Sequence, residues 1–198
     1  MSRSTHSQKQ GGIALDKIIV INGKGGIGKD TLIEALADAA PHYIHVTNVS
    51  SITPIVEACE KSGVAIGDKD NAYRKLLSDM KTAIDEYHTK ETGMAFTTRY
   101  LVKQTDQWKQ LCLFGKSSHH VLFVHVMEPE MIQDFLTSNP DAVTLLVTSD
   151  RAQDSYGNPS DEGVNAFPYN YIFEANSTKE EEAQKFCSFI ENILKEEK

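Results

Sequence analysis

The stretch that decides the fold reads Ile18-Ile-Val-Ile-Asn22-Gly23-Lys24-Gly25-Gly26-Ile27-Gly28-Lys29-Asp30-Thr31. Its first residues form a short apolar run rich in β-branched side chains, which predicts a buried strand. The amphipathic sequence after it predicts a helix over 30–40. Between the two, residues 23–29 match the spacing G-x-x-x-x-G-K in the strand, loop and helix context that this spacing requires.

The four glycines of this loop explain why the pattern predicts a phosphate-binding site. Glycine lets the backbone turn tightly, so successive N–H groups point inward at the positive end of the following helix. Lys29 is placed to reach the β- and γ-phosphates of a nucleotide. The alternative is a glycine-rich turn without a ligand. The predicted nucleotide-binding residues are Gly23, Lys24, Gly25, Gly26, Ile27, Gly28, Lys29, Asp30 and Thr31.

Acidic residues near the loop are candidates for the metal shell. Asp30 stands where most such loops have the Ser or Thr that binds magnesium. Either Asp30 holds the ion, directly or through water, or Thr31 supplies a hydroxyl. Glu128, which follows the third predicted strand and precedes Pro129, is a further candidate. Asp30 and Glu128 are also explained as acidic residues at helix starts, which the helix dipole favours.

Further apolar runs predict strands over 43–49, 121–126, 143–148 and 171–173, and therefore a five-stranded parallel sheet. Helices are predicted over 52–61, 73–88, 97–114, 128–137 and 179–194. The gap between the second and third strands is too long for a simple crossover, which predicts a helical insertion over about 62–116. Residues 1–16 are predicted to be a disordered tail, and residues 17–198 a single domain.

The composition excludes several classes of function. With 198 residues and 40% hydrophobic content, the chain has the composition of a globular domain. Its formal net charge of -8 has the wrong sign for holding a nucleic-acid backbone over a broad surface. It has no apolar run of the roughly 20 residues needed to span a membrane, and no signal-peptide pattern. We therefore expect a cytoplasmic protein without nucleic-acid or membrane partners, and leave its oligomeric state open.

Cysteines and histidines predict neither a disulfide framework nor a zinc site. Cys59, Cys112 and Cys187 are odd in number and far apart, so they are interpreted as core or half-buried thiols. The adjacent pair His119 and His120 lacks the His-Glu-x-x-His or Cys/His spacing of metal ligands. Both are interpreted as loop and strand residues.

The Gly28-Lys29-Asp30 form of the loop resembles that of P-loop kinases, more narrowly the (deoxy)nucleoside monophosphate kinase and adenylate kinase-like group. It is also similar to the loop of animal-type phosphomevalonate kinases. The resemblance is strong over 18–40 and weaker across 69–87, 121–135 and 143–176. It implies a P-loop NTPase-type three-layer α/β/α sandwich, ATP and Mg²⁺ as cofactors, and a phosphorylated small molecule as acceptor. It also implies that the helical insertion closes over the acceptor.

The arginines are scarce, and three of the four fall in segments where such a kinase handles phosphate. Arg74 and Lys81 share one polar helix face, because they are seven residues apart. This face could meet a phosphate, so Lys81 is a predicted acceptor ligand, and the resemblance implies that Arg74 and Arg99 bind the acceptor. It implies that Arg151, in a lid-like loop over 151–167, binds ATP and stabilises the transferring phosphoryl group. Lys29, Arg74 and Arg151 are thus the predicted catalytic residues. A solvated helix face for Lys81 and a loop ion pair for Arg151 are the alternatives.

Three single residues complete the predictions. Ser50 follows the second strand, where it either contacts the acceptor or caps the next helix. Asn176 follows the last strand, where the resemblance implies a position near adenine and local chemistry predicts a turn. Met127 stands where related kinases often have an arginine before Glu-Pro, so one expected cation is missing.

The loop also permits a second interpretation. The run Lys24-Gly-Gly-Ile-Gly-Lys29 resembles the deviant loop of ATPase switches that partition DNA or position the division machinery, in which the first lysine reaches across a dimer. Their loop continues with Thr or Ser and their third strand ends in Asp, whereas this chain has Asp30 and a Val-His-Val-Met-Glu stretch. The kinase is therefore favoured. The alternatives are the switch and a nucleotide-binding protein without activity.

Overall fold

The computed structural model describes residues 16–64, 71–113, 119–150 and 163–196. Its strands form one five-stranded sheet with the order β2-β3-β1-β4-β5, and every neighbouring pair is parallel. The predicted parallel sheet is therefore confirmed, with bounds that shift by one or two residues. The strands are β1 (Lys17–Asn22), β2 (Ile44–Ser50), β3 (His119–His125), β4 (Val143–Thr148) and β5 (Tyr171–Glu174).

Helices follow the strands, and two of them lie within the predicted insertion. They are α1 (Lys29–Ala39), α2 (Thr53–Lys61), α3 (Asn71–Thr92), α4 (Phe96–Cys112), α5 (Pro129–Ser138) and α6 (Lys179–Lys195). Helix α3 continues four residues beyond its predicted end at 88, because residues 89–92 contain neither the Gly nor the Pro that would break a helix. It ends at Gly93, whose φ of 76° and N–H bond to the Thr89 carbonyl form a glycine C-cap.

The sheet is covered on both faces, as the alternation of side chains along β1 requires. Ile19 and Ile21 pack with apolar residues of α1 and α6, whereas Ile18 and Val20 pack with those of α4 and α5. A third cluster joins α2 to α3, and Cys59 is part of it. Cys59 and Cys112 are buried and Cys187 is partly buried, and none is in a disulfide. The result is a three-layer sandwich with α3 and α4 inserted between β2 and β3.

Because all five strands are parallel, their carboxyl ends lie at one edge of the sheet. The loops after β1, β3, β4 and β5 meet there, which is where ligands bind in such folds. The amino ends of the strands form the opposite edge, and Asp16, assigned to the tail from sequence, contacts His120 there. Within the part of the chain that the structure describes, no helix is both long and apolar enough to cross a membrane.

Candidate functional site

The glycine-rich loop follows β1 and its backbone geometry depends on glycine at particular positions. Gly23 has a φ of 149°, and a Cβ there would lie 2.5 Å from the carbonyl oxygen of Val147 in β4. Gly28 is the N-cap of α1 and has a φ of 90°. Both positions therefore require glycine, the first because of crowding and backbone strain, the second because of its left-handed backbone. The first N–H groups of an α-helix have no partner within the helix, so the start of α1 adds hydrogen-bond donors at the end of the loop.

Lys29 bends back over this loop. Its Nζ donates hydrogen bonds to the carbonyl oxygens of Gly23, at 2.5 Å, and Lys24, at 3.1 Å. The ammonium thus lies at the mouth of the loop, beside the positive end of the α1 dipole. Two sources of positive potential coincide there, as binding of a polyphosphate requires.

His125, the last residue of β3, lies directly beside the start of α1. Its Nε2 is 3.6 Å from Asp30 Oδ1, and Asn48 Nδ2 donates to the same oxygen at 3.3 Å. Burial lowers the pKa of His125 to about 4, with the Asp30 carboxylate opposing this shift and Lys29 adding to it. The imidazole is therefore neutral near pH 7. Sequence reasoning missed this residue, and the signal that it left unused is a histidine near the end of a predicted apolar strand.

The residues around Asp30 fit a magnesium ion. Mg²⁺ takes oxygen ligands and keeps several waters, and Asp30 and Thr31 offer a carboxylate and a hydroxyl at the start of α1. His125 Nε2 is buried and has no hydrogen-bond partner among the described residues. A water bound to the metal would satisfy this nitrogen, since buried polar atoms in native proteins are generally paired.

Asn22 joins the loop to two other segments. Its side chain is fully buried, and its Oδ1 accepts a hydrogen bond from the Gly23 N–H at 2.7 Å. Its Nδ2 donates to the carbonyl oxygen of Met127 at 3.0 Å and to the Tyr169 hydroxyl at 2.8 Å. Tyr169 in turn donates to the Val164 carbonyl at 2.8 Å. The end of the segment predicted as a lid is thereby anchored to the loop, while residues 151–162 lie outside the described residues.

Lys81 and Glu128, predicted separately as an acceptor ligand and a metal ligand, form an ion pair. Lys81 Nζ lies 2.6 Å from Glu128 Oε1 and 3.7 Å from Asp85 Oδ2, and the Lys81 side chain is only 10% exposed. Asp85 accepts bonds from the backbone N–H and the hydroxyl of Thr97, at 2.8 and 2.7 Å, at the start of α4. This network joins α3 and α4 to the carboxyl end of β3. The ligand roles of Lys81 and Glu128 stay predictions.

The remaining predicted residues lie apart. Arg74 is partly buried on the same face of α3 as Lys81, about 10 Å away along the helix axis. Arg99 is exposed in the first turn of α4, and Arg151 lies outside the described residues. Ser50 Oγ accepts a bond from the Ile52 N–H at 3.5 Å, at the start of α2. Asn176 exchanges hydrogen bonds with Asp150, at 2.8 and 3.0 Å.

A cavity of about 480 Å³ opens beside the loop. This volume is within the usual range for small-molecule sites. Asn176 does not line it, although its neighbours Ala175 and Ser177 do. The other lining residues come from the loop, α1, the end of β4 and α6: Gly25, Gly26, Ile27, Gly28, Thr31, Leu32, Ala35, Ser149, Lys179, Glu180, Glu182 and Ala183.

Two features define the fold. The loop with the spacing G-x-x-x-x-G-K lies between β1 and α1, and the strand order of the sheet is β2-β3-β1-β4-β5. The chain thus has a P-loop NTPase-type α/β fold.

Solved structures align over most of the chain at low identity. A sugar kinase from Janibacter sp. HTCC2649 is 11% identical, with 89% of this chain and 95% of that chain covered and a TM-score of 0.48. A gluconokinase from Sinorhizobium meliloti 1021 is 12% identical over 91% and 97% of the two chains, with a TM-score of 0.42. Shikimate kinase from Aquifex aeolicus is 13% identical over 90% and 99%, with a TM-score of 0.44. No family model and no curated protein matches the chain.

Proposed function

We propose that this protein is a Mg-ATP-dependent phosphotransferase that moves the γ-phosphoryl group to a phosphorylated small molecule, in the first instance a nucleoside or deoxynucleoside monophosphate. The observation that carries the proposal is the position of Lys29. Its ammonium lies at the mouth of the glycine-rich loop, and the loop itself lines the cavity of about 480 Å³. A triphosphate can therefore lie along the loop while its nucleoside occupies the cavity.

The nucleotide half of the site is formed by the loop and α1. Loop N–H groups and Lys29 bind the β- and γ-phosphates, where the helix dipole adds positive potential. Asp30 and Thr31 would hold Mg²⁺, which neutralises charge on the phosphates when bound. A water molecule bound to the ion would form a hydrogen bond with the His125 imidazole. The base lies between α1 and α6, where Ala35 and Ala183 leave room for it.

The acceptor half is formed by the inserted helices. The Lys81–Glu128 ion pair holds α3 against the end of β3, at the edge where the loop opens. Arg74 and Arg99 bind the acceptor phosphate, and Arg151 stabilises the charge of the transferring group. The attacking phosphate oxygen is already ionised near neutral pH, so no general base is required. Positioning and charge stabilisation then supply most of the catalysis.

The test is nucleoside diphosphate formation from Mg-ATP with a panel of ribo- and deoxyribonucleoside monophosphates, phosphomevalonate and an ATP-only control. Lys29→Ala serves as the blank. Turnover of one acceptor that disappears in the blank supports the proposal and identifies the substrate. Hydrolysis of ATP without acceptor preference, rising with protein concentration as a dimer forms, would contradict it and support the ATPase switch.

The proposed role of Arg74 in acceptor binding is tested by comparing it with Lys75, the next residue of α3. Arg74→Met should raise the KM for the acceptor at least about tenfold, the effect of losing one charge-assisted contact, and leave the KM for ATP unchanged. Lys75→Met is the matched control, because Lys75 is 74% exposed and pairs with Asp79. Equal effects of the two substitutions would refute an acceptor role for Arg74.

A further inference from the structure

A second cluster of ligand-type side chains lies at the opposite edge of the sheet from the loop. Asp16 immediately precedes β1, His120 is the second residue of β3, and Cys112 is the last residue of α4. β1 and β3 are paired with Lys17 opposite Val121, so Asp16 is brought level with His120. The cluster is separated from the loop by the length of β1, about 20 Å. It takes no part in the proposed nucleotide site.

The three ligand atoms are close enough to share one ion. All of them lie within 4.8 Å of one another. His120 Nδ1 is 2.9 Å from Asp16 Oδ1, which also accepts a hydrogen bond from the His120 backbone N–H at 3.2 Å. Ligands of a tetrahedral zinc ion are about 3.5 Å apart, given bond lengths of about 2.0–2.3 Å. Small side-chain rotations would therefore bring the cluster to the separations that an ion requires.

The chemistry of the set selects the kind of ion. A thiol, an imidazole and a carboxylate match the sulfur, nitrogen and oxygen ligands of zinc, whereas Mg²⁺ and Ca²⁺ prefer oxygen alone. Cys112 is buried, while the Asp16 side chain is 35% exposed and gives an ion a path from solvent. The ring of His45 stacks on that of His120 at 5.1 Å and restricts its orientation.

We propose that Asp16, Cys112 and His120 bind Zn²⁺ or a divalent transition-metal ion of similar preference, with water as the fourth ligand. The ion would join the end of α4 to the starts of β1 and β3. It would thus fasten the inserted helices to the sheet from the side opposite the loop. No motif in the sequence points to this site, because its ligands come from three separate segments.

Binding must release the Cys112 proton. Burial raises the pKa of this thiol to about 11 in the metal-free protein, and the Asp16 carboxylate adds to the shift. A metal ion is the partner that overcomes both effects, since a coordinating thiol is deprotonated.

The test is titration of the EDTA-treated, dialysed full-length protein with Co²⁺, followed by competition with Zn²⁺. We expect one equivalent of Co²⁺ to produce thiolate-to-cobalt charge-transfer absorption, and Zn²⁺ to abolish it. Cys112→Ser should remove the absorption, and Asp16→Asn should weaken binding at least about tenfold. Cys187→Ser is the matched control, because Cys187 is a partly buried free thiol outside the cluster, and it should bind like the parent.

Two outcomes would overturn the proposal. One is absence of the charge-transfer absorption in the parent protein. The other is binding that survives Asp16→Asn and Cys112→Ser but disappears in His119→Ala, which would place the ion elsewhere. Thermal unfolding provides a second measurement in case a variant folds poorly. Zn²⁺ should raise the midpoint of thermal unfolding of the parent protein and leave that of Asp16→Asn unchanged. None of these measurements depends on kinase activity.

Discussion

The buried imidazole of His125 lies 3.6 Å from the carboxylate of Asp30, so the last residue of β3 faces the first turn of α1. This relationship exists because β3 is the neighbour of β1, whose carboxyl end leads into the glycine-rich loop. The imidazole is neutral near pH 7, because burial disfavours its charged form. A neutral imidazole does not compete with Lys29 for negative charge.

This histidine should make the protein sensitive to acid. Its pKa of about 4 in the folded state is below the ordinary value of 6.5, so the unfolded chain takes up the proton first as the pH falls. The stability present above about pH 6.5 is then lost progressively down to about pH 4, by on the order of 3 kcal/mol. Urea unfolding of the parent and His125→Gln between these pH values measures the difference. The variant should lose less stability on acidification.

The control for the pH experiment is His42→Gln, since His42 is an exposed histidine away from the loop. It should follow the parent curve throughout. A parent and a His125→Gln variant that lose stability in parallel would show that other groups are responsible for the acid sensitivity.

Gly23 should not tolerate a side chain. In Gly23→Ala the new Cβ would meet the backbone oxygen of Val147 at 2.5 Å, so the loop or β4 must shift. We expect destabilisation of about 2–4 kcal/mol together with loss of ATP binding, since backbone strain and overpacking combine. Gly93→Ala is the control, because it also has positive φ but its Cβ meets nothing within 4 Å. It should cost about 1 kcal/mol, with ATP affinity unchanged. Equal losses in the two variants would contradict the crowding argument.

Removing Lys81 should destabilise the fold. Lys81→Met leaves the carboxylates of Glu128 and Asp85 without their shared cation in a largely buried environment. The expected loss is on the order of 3 kcal/mol in the free energy of unfolding, measured by urea denaturation. Lys75→Met on the same helix removes an exposed ion pair and should change stability by less than about 1 kcal/mol. A Lys81→Met variant as stable as Lys75→Met would show that the buried pair contributes little.

A larger side chain in the cavity beside the loop should weaken ATP binding. Ala35 lines it from α1, so Ala35→Met should weaken ATP binding by on the order of tenfold, the cost of about 1–2 kcal/mol of overpacking. Ala37 is an exposed residue of the same helix that does not line the cavity, and Ala37→Met should bind ATP like the parent. Calorimetric titration of both variants with Mg-ATP measures the effect. Unchanged ATP affinity in Ala35→Met would contradict the proposed position of the nucleoside in this cavity.

The fold was predictable because its signals are local. Apolar runs of strand length and a contiguous glycine-rich loop are visible within windows of a few residues, and the sheet that they predict is the one observed. Boundaries were less accurate, as α3 shows, because a helix continues past its apolar face until a residue such as Gly93 ends it. The predicted capping of α2 by Ser50 is wrong, because the N-cap of this helix is Ile52 and no side chain caps it.

The sequence by itself thus determined the strands, the loop and the position of Lys29, since each follows from neighbouring residues. Only the tertiary structure decided which distant side chains meet. Lys81 pairs with Glu128 across 47 residues, and His120 meets Asp16 across 104. Such contacts depend on the order of the strands and on how the inserted helices pack against them. Local periodicity predicts which face of a helix or strand is buried. Which residues pack against that face depends on burial and charge pairing over the whole fold.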